Sequence, residues 1–207
     1  MTCAFQGSLL DCSDESGPRS LTPVRTPLAH GAWIDIRRGW IAGADALFER
    51  LAEVVPWRAE SRQMYERVVN VPRLLAFYGE DEPLPDPVLN EAKCALDAHY
   101  EPELGEPFRT AGLCLYRDGR DSVAWHGDRT GRGRTHDTMV AIVSVGEPRS
   151  LLLRPRGGGP TLRHDLGHGD LIVMGGSCQR TWEHAIPKSG KAIGPRISIQ
   201  FRPRGVR

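Results

Sequence analysis

The sequence has no apolar run approaching the ~18 residues that a membrane-spanning helix needs. Its first thirty residues lack a Lys- or Arg-led apolar stretch and carry Asp11, Asp14 and Glu15 instead, so neither a membrane span nor a secretory leader is expected. Cysteine is scarce. Cys3, Cys12, Cys94, Cys114 and Cys178 are odd in number and show no C-x-x-C spacing. That argues against a disulfide scaffold or a four-cysteine zinc site and for a reducing cytoplasm. No repeat of 20–50 residues is present, which excludes a solenoid or propeller.

Lysine is also scarce, supplying three of the 27 cations, and the formal net charge is only +1. That small total hides a division. Residues 1–107 hold 10 Lys+Arg against 18 Asp+Glu (−8), and residues 108–207 hold 17 against 8 (+9), which sum to +1. A basic C-terminal half suits an anionic partner such as nucleic acid.

What is present fits a globular domain of 207 residues, long enough to bury a core without staples. Residues 1–30 are rich in Ser, Gly, Pro and Thr and read as a flexible N-terminal arm. Leu47, Phe48, Leu51, Val54 and Val55 form one face of a helix over 44–55, stopped by Pro56. A second helix is predicted from Asp86 as N-cap and Pro87 at the first helical position, burying Val88, Leu89, Ala92, Leu96 and Tyr100. Val71 to Gly79 between them reads as an irregular or β-like connector. After residue 108, short apolar runs (112–116, 138–145, 150–154, 161–166, 170–174 and 196–202) alternate with Gly-rich turns. Many short strands with such turns mean a sandwich, jelly roll or barrel.

Three pieces could carry chemistry. His126-Gly127-Asp128 places an imidazole and a carboxylate on one side of an extended chain. His184 follows a predicted strand that can return to the same mouth. Two histidines and a carboxylate are the facial triad of non-haem Fe(II) oxygenases. Arg196-Ile197-Ser198-Ile199-Gln200-Phe201-Arg202 then alternates, so that Arg196, Ser198, Gln200 and Arg202 share a face. An inward arginine in a β-core needs an anion, and a carboxylate ligand is its natural partner.

Taken in order, with Leu115 to Gly119, Trp125 to Asp128, His168 to Met174 and Trp182 to Lys188, these stretches resemble the AlkB family of Fe(II)/2-oxoglutarate-dependent dioxygenases. The resemblance runs from about Val71 to Arg202. It implies a mainly β (α+β) fold, a double-stranded β-helix or jelly-roll core with supporting N-terminal helices. Residues 31–107 then hold the helices and a segment like the family's nucleotide lid, residues 108–207 hold the core, and 31–207 form one domain. It implies Fe(II) on His126, Asp128 and His184, with O2 and 2-oxoglutarate as cosubstrates. Arg196 would pair with the remote carboxylate, with Tyr116, Ser198 and Arg202 also on the cosubstrate's side. Arg73, Tyr78, Trp125, Arg129 and Thr130 are candidate substrate contacts.

The activity implied is oxidative demethylation of 1-methyladenine or 3-methylcytosine in DNA, with release of formaldehyde, succinate and CO2, by a monomer. The same chemistry on tRNA or other RNA is open, as is oxygenation of a small molecule or protein. A non-catalytic jelly-roll binding module is the remaining rival. Two positions depart from the family pattern: Cys114 stands where the family has Asn, and Thr130 where it often has an acidic residue. His164 and His168 with Asp165 and Asp170 read as turn residues, and His30, His99 and His136 have no partner pattern.

Overall fold

A computed structural model describes residues 16–64 and 67–206. The two expected helices form where their apolar spacing puts them. Helix α1 (Ala44–Val54) buries Leu47, Phe48 and Leu51. Val54, expected on the same face, is 53% exposed. It ends the helix, and the chain becomes extended at Val55 (φ −73°, ψ 130°), so Val55 enters the core instead. Helix α2 (Pro87–Leu104) starts as its sequence dictates. The Asp86 carboxylate accepts from Val88 N at 2.9 Å, and all five expected apolar residues are buried. Arg50 of α1 donates to Asp86 from Nε at 2.6 Å and so ties the two helices together.

The strands run in the order β1 (Gly17–Pro18), β2 (Val24–Pro27), β3 (Ala32–Arg37), β4 (Ile41–Ala42), β5 (Arg58–Met64), β6 (Arg67–Tyr78) and β7 (Thr110–Tyr116). They continue with β8 (Val123–His126), β9 (Val140–Gly146), β10 (Arg149–Pro155), β11 (Leu162–Leu166) and β12 (Asp170–Gly176). After a short helix α3 (Cys178–Thr181) come β13 (Trp182–Ile186) and β14 (Arg196–Arg202). An eight-stranded sheet has the order β2-β3-β12-β9-β14-β7-β6-β5, and a four-stranded sheet has the order β11-β10-β13-β8. The paired strands are antiparallel throughout. The chain switches repeatedly between two facing sheets, which is the jelly-roll architecture.

Strand alternation sorts the layers. Ile197, Ile199 and Phe201 of β14, with Val143 and Val145 of β9, pack toward α1 and α2 in one core. Val140 and Ile142 of β9, Leu151 and Leu153 of β10, and Trp182 and Ile186 of β13 fill a second core between the sheets. The polar face of β14 therefore points into the sandwich, where the chemistry sits.

The N-terminal region differs from its composition. Residues 17–27, expected within a flexible arm, contribute β1 and β2. Arg25 clamps β2 to β3 by donating to Asp35 at 2.8 and 2.9 Å and stacks 3.5 Å over the Trp33 ring. The 71–79 connector is part of a long strand, β6. Pro72 is tolerated there because β6–β7 pairing begins only at Leu74, and the β5–β6 register breaks between Ala59 and Ser61. Among the described residues no helix is long and apolar enough to cross a membrane.

Candidate active site

His126 ends β8 and His184 lies directly opposite it on β13, with ring centroids 4.2 Å apart. Asp128 follows two residues after His126. Their ligand atoms all lie within 4.8 Å of one another, the one such group of three among the described residues. The residue between His126 and Asp128 must be glycine, because a Cβ on Gly127 would lie 2.6 Å from the Gln179 carbonyl oxygen. Gln179 also fixes the loop through its side chain, which accepts from Asp128 N at 2.9 Å.

Protonation suits a cation. His126 Nδ1 lies 2.9 Å from the Ala124 carbonyl oxygen. A carbonyl only accepts, so Nδ1 is the donor there, and Nε2 is the ring nitrogen turned toward Asp128, 3.7 Å from its Oδ1. Burial, with His126 and Arg202 nearby, lowers the His184 pKa to about 3, so its imidazole is neutral at physiological pH. Burial alone would raise the Asp128 carboxyl. The charge of Arg202, followed by His184 and His126, outweighs it and holds the pKa at about 2. Two imidazoles and one carboxylate are a donor set for a first-row divalent metal such as Fe(II).

Beside the triad is a cavity of about 60 Å³ lined by Tyr116, Ile142, Leu151, Ile186, Arg196, Ser198 and Arg202 among others. That is room for about four waters at the ~15 Å³ each needs. Arg196 is 1% exposed. Its Nε donates to Ser144 Oγ at 2.8 Å, but its Nη1 is buried without a partner. Burial pushes this guanidinium below its ordinary pKa. A buried cation with an unused donor is costly, so the cavity is built for an anion. The residues thus fit a metal at one end and a carboxylate ligand at the other. Ser198 is held in place by Gln200, which donates to its Oγ at 2.5 Å. Cys114 Sγ lies 3.7 Å from Gln200 Oε1 and turns toward that side chain.

The cavity opens into a groove of about 1150 Å³ between the β5–β6 hairpin and the triad loop. Of the expected substrate contacts, Arg73, Tyr78 and Thr130 line this groove, together with Phe77, which is 48% exposed. Trp125 and Arg129 are not on either wall. Trp125 neighbours His126 on β8, and strand alternation sends it to the outer face, where the Arg154 guanidinium lies 4.1 Å over its ring. The basic loops carry less free charge than their composition suggests. Arg120 pairs with Asp118, Arg132 with Glu106, and Arg154 and Arg156 with Glu183.

His168, Asp170 and Cys178 have structural surroundings. His168 Nδ1 accepts from Gly146 N at 2.8 Å while Nε2 faces Asp45 at 3.0 Å. Asp170 binds Arg38 and the Gly39 and Gly167 amides. Cys178 is buried and its thiol is pushed up to about 12, which removes a nucleophilic role. The sequence reading missed Ser144, Gln179 and Arg149. Ser144 had a signal, as the one polar residue in an otherwise apolar run from Met139 to Val145. Gln179 and Arg149 act across sheets and had none.

A buried His-Asp-His triad beside an arginine-ended cavity, inside a jelly roll, defines a 2-oxoglutarate-dependent metal oxygenase. The family model "2OG-Fe(II) oxygenase superfamily" matches residues 78–202, and the chain belongs to that superfamily. Within it, the chain belongs to the AlkB family. It is 30% identical over 212 residues to the human alpha-ketoglutarate-dependent dioxygenase alkB homolog 3, covering 90% of this chain and 70% of the relative. It is 29% identical over 184 residues to the human DNA oxidative demethylase ALKBH2, covering 78% of this chain and 69% of the relative. The bovine alkB homolog 3 is 32% identical over 184 residues, with 78% of this chain and 64% of that protein covered. The chain therefore spans about two thirds of the length of these curated relatives. The solved structure of OsALKBH1 superposes with a TM-score of 0.60 at 14% identity, over 87% of this chain and 100% of that one, which supports the fold.

Proposed function

We propose that this protein is a dioxygenase that oxidatively demethylates N-alkylated bases, such as 1-methyladenine or 3-methylcytosine, in DNA. The observation that carries the reading is the single cavity joining His126, Asp128 and His184 to the unpartnered Nη1 of Arg196 and opening into a groove wide enough for a base. The relatives named as DNA oxidative demethylases support the substrate class.

His126, Asp128 and His184 would hold Fe(II), which when bound supplies the oxygen-activating redox chemistry. Arg196 would hold the remote carboxylate of 2-oxoglutarate by a charge-assisted pair of hydrogen bonds. Tyr116 stands 5.3 Å from the Arg196 guanidinium, and its hydroxyl, raised to about 12 chiefly by burial, stays protonated and can donate to the same carboxylate. Ser198 and Arg202 would border the cosubstrate on the triad side. Val123, Ile142, Leu151, Leu166 and Ile186 close the cavity walls and exclude water. In the net reaction 2-oxoglutarate and O2 become succinate and CO2, and the methyl carbon leaves as formaldehyde.

The target base would enter the groove out of its stack, at a cost of a few kcal/mol when it starts in a duplex. Tyr78, Thr130 and Arg73 are proposed to line its path. Trp125 and Arg129, outside the pocket, would face the flanking strand. The protein would act as a monomer in a reducing cytoplasm, in keeping with free Cys94, Cys114 and Cys178.

The test is formaldehyde release with Fe(II), ascorbate and 2-oxoglutarate, on matched single-stranded DNA and RNA oligonucleotides carrying 1-methyladenine or 3-methylcytosine. Release that needs 2-oxoglutarate and is lost in His126→Ala supports the reading, and a rate on RNA exceeding that on DNA would move the substrate to RNA. Succinate formation that no oligonucleotide stimulates would remove the nucleic-acid substrate.

A further inference from the structure

On the inner face of the large sheet, three adjacent strands, β14, β7 and β6, each carry a functional side chain in one row. Arg196 of β14 pairs with Tyr116 of β7. On the other side of β7, Arg73 of β6 lies one residue beyond the last paired rung, Leu74↔Leu115, and its charge acts on the same tyrosine. Arg149, from the facing sheet, lies 5.5 Å from the Tyr116 ring, as Arg196 does at 5.3 Å. Three guanidinium groups therefore converge on one phenol. None of the three forms an ion pair with a carboxylate among the described residues, although each acidic partner elsewhere in the site loops is taken by an arginine.

The three differ in what they have left to give. Arg149 is consumed by main-chain oxygens: it donates to Asp118 O at 3.0 Å, and to Asp121 O and Pro187 O at 2.8 Å each. Arg196 keeps Nη1 unused. Arg73 donates from Nη1 to Ser122 O at 3.1 Å and keeps its Nε buried and unused. Two orphaned arginine donors, from strands on either side of Tyr116, thus line one cavity. Cys114, one rung nearer the triad, is shared between Gln200 and the Arg73 side chain and offers only a weak polar group where an amide would offer a strong one. A single arginine satisfies one edge of a carboxylate. The unused Nε of Arg73 in the same row offers a second contact to the same anion.

We propose that Arg73 is a second arginine for the remote carboxylate of the cosubstrate, gripping it from the side of Tyr116 opposite Arg196. This rests on the 2-oxoglutarate reading above. It moves Arg73 from the substrate groove, whose wall it also borders, to the cosubstrate. It also makes strand β6, which carries Phe77 and Tyr78 into the groove, part of the cosubstrate site.

The experiment is equilibrium binding by calorimetry to the full chain loaded with Mn(II) without turnover. The ligands are 2-oxoglutarate and 2-oxopentanoate, which keeps the 2-oxo acid head and lacks the remote carboxylate. Arg73→Gln is expected to weaken 2-oxoglutarate about tenfold to a hundredfold, the size of a lost charge-assisted contact. It should leave 2-oxopentanoate unchanged, which also reports an intact fold and metal site. Arg73→Lys, which keeps the charge, should recover most of the affinity. Unchanged 2-oxoglutarate affinity in Arg73→Gln, with weaker binding of a methylated oligonucleotide, would assign Arg73 to the substrate and overturn the proposal. Equal loss of both 2-oxo acids would reduce it to a structural residue and also overturn it. If the unsubstituted protein binds no 2-oxoglutarate, the reading of the whole site fails, which is a separate outcome.

Discussion

Asp128 divides its two oxygens between two neighbours: Oδ2 accepts from Arg202 Nε at 2.7 Å, while Oδ1 faces His126 Nε2 at 3.7 Å. One oxygen is thus fixed by a guanidinium and the other is aimed at the metal position. Both side chains are largely buried, so removing the arginine leaves a desolvated carboxylate. Arg202→Ala is expected to cost about 3 kcal/mol or more in metal-free protein. That is roughly 6–12 °C in Tm at ~2–4 °C per kcal/mol. A divalent ion would then replace the lost countercharge, so Mn(II) should raise the Tm of the variant more than that of the unsubstituted protein. Equal metal-induced shifts in thermal scans would show that Asp128 does not depend on Arg202.

Gly127 is held by contact and not by conformation. Its Cβ position is 2.6 Å from Gln179 O and 3.3 Å from Trp182 O, both backbone atoms that cannot swing aside. Gly127→Ala should therefore displace the triad loop at a cost of about 1–3 kcal/mol, the usual range for overpacking. Metal affinity should fall with it, since His126 and Asp128 flank the residue. A variant with unchanged unfolding and unchanged Mn(II) affinity would mean that the loop has slack the contact distances deny.

Arg196 sets function against stability. Its guanidinium is buried with one donor unused, so it weakens the protein until an anion arrives. Arg196→Met, close in volume and apolar, is expected to leave the ligand-free protein as stable or more stable, by up to about 4 kcal/mol. The same variant should lose the stabilisation that 2-oxoglutarate gives at saturating concentration, about 2.7 kcal/mol at a hundred times Kd. Chemical denaturation with and without 2-oxoglutarate, Mn(II) present, checks both halves. A strongly destabilised ligand-free variant would mean that Arg196 is structural.

The parts legible in the sequence were those set by local chemistry. Asp86-Pro87 opens α2 because capping is a two-residue event, and the alternation in 196–202 sorted β14 into an apolar and a polar face. The triad was legible because its residues are of rare types in a fixed order. The strands β2 and β5 were not. Val24 to Pro27 is exposed at every position, and β5 (Arg58–Met64) is mostly polar, so neither carries an apolar pattern. Their hydrogen-bond partners, β3 and β6, define them. Trp125 illustrates the same limit: its motif places it beside His126, but only the strand's alternation reveals that it faces away.

Phe77 is one of three large apolar side chains left exposed among the described residues, and it lies on the groove wall. It stands opposite Gly112 in the β6–β7 register, where a Cβ would meet Arg202 Nη1 at 3.0 Å and Gln200 Oε1 at 3.2 Å. Glycine at 112 thus lets the Arg202 and Gln200 side chains pack close to the strand next to the ring. Phe77→Ala should weaken binding of a methylated oligonucleotide by the worth of one base–aromatic stack, about 1–3 kcal/mol, and leave the 2-oxoglutarate Kd unchanged. Fluorescence anisotropy with a labelled oligonucleotide decides it, and an unaltered affinity would remove the ring from the substrate's path.

Tyr116 gives the site an alkaline signature. Burial, reinforced by Cys114, raises its hydroxyl to about 12 in spite of the guanidiniums of Arg196, Arg73 and Arg149 around it. The ordinary tyrosine value is 10.0. Between the two, the unfolded chain has released this proton and the folded protein has not, so the folded state binds more protons and stability falls as pH rises. The contribution is fully present below pH ~10 and is lost on approaching pH 12, with a slope of at most ~1.4 kcal/mol per pH unit for one group. Tyr116→Phe removes the titrating group, so the variant's urea midpoint should decline less steeply than that of the unsubstituted protein between pH 9.5 and about 11.5. Because Tyr100 and other groups titrate equally in both proteins, the difference of the two slopes isolates Tyr116. Parallel declines would show that the phenol ionises at its ordinary pH. It would then be solvated and not sealed in the cavity, which would remove it as a neutral donor to the cosubstrate's carboxylate.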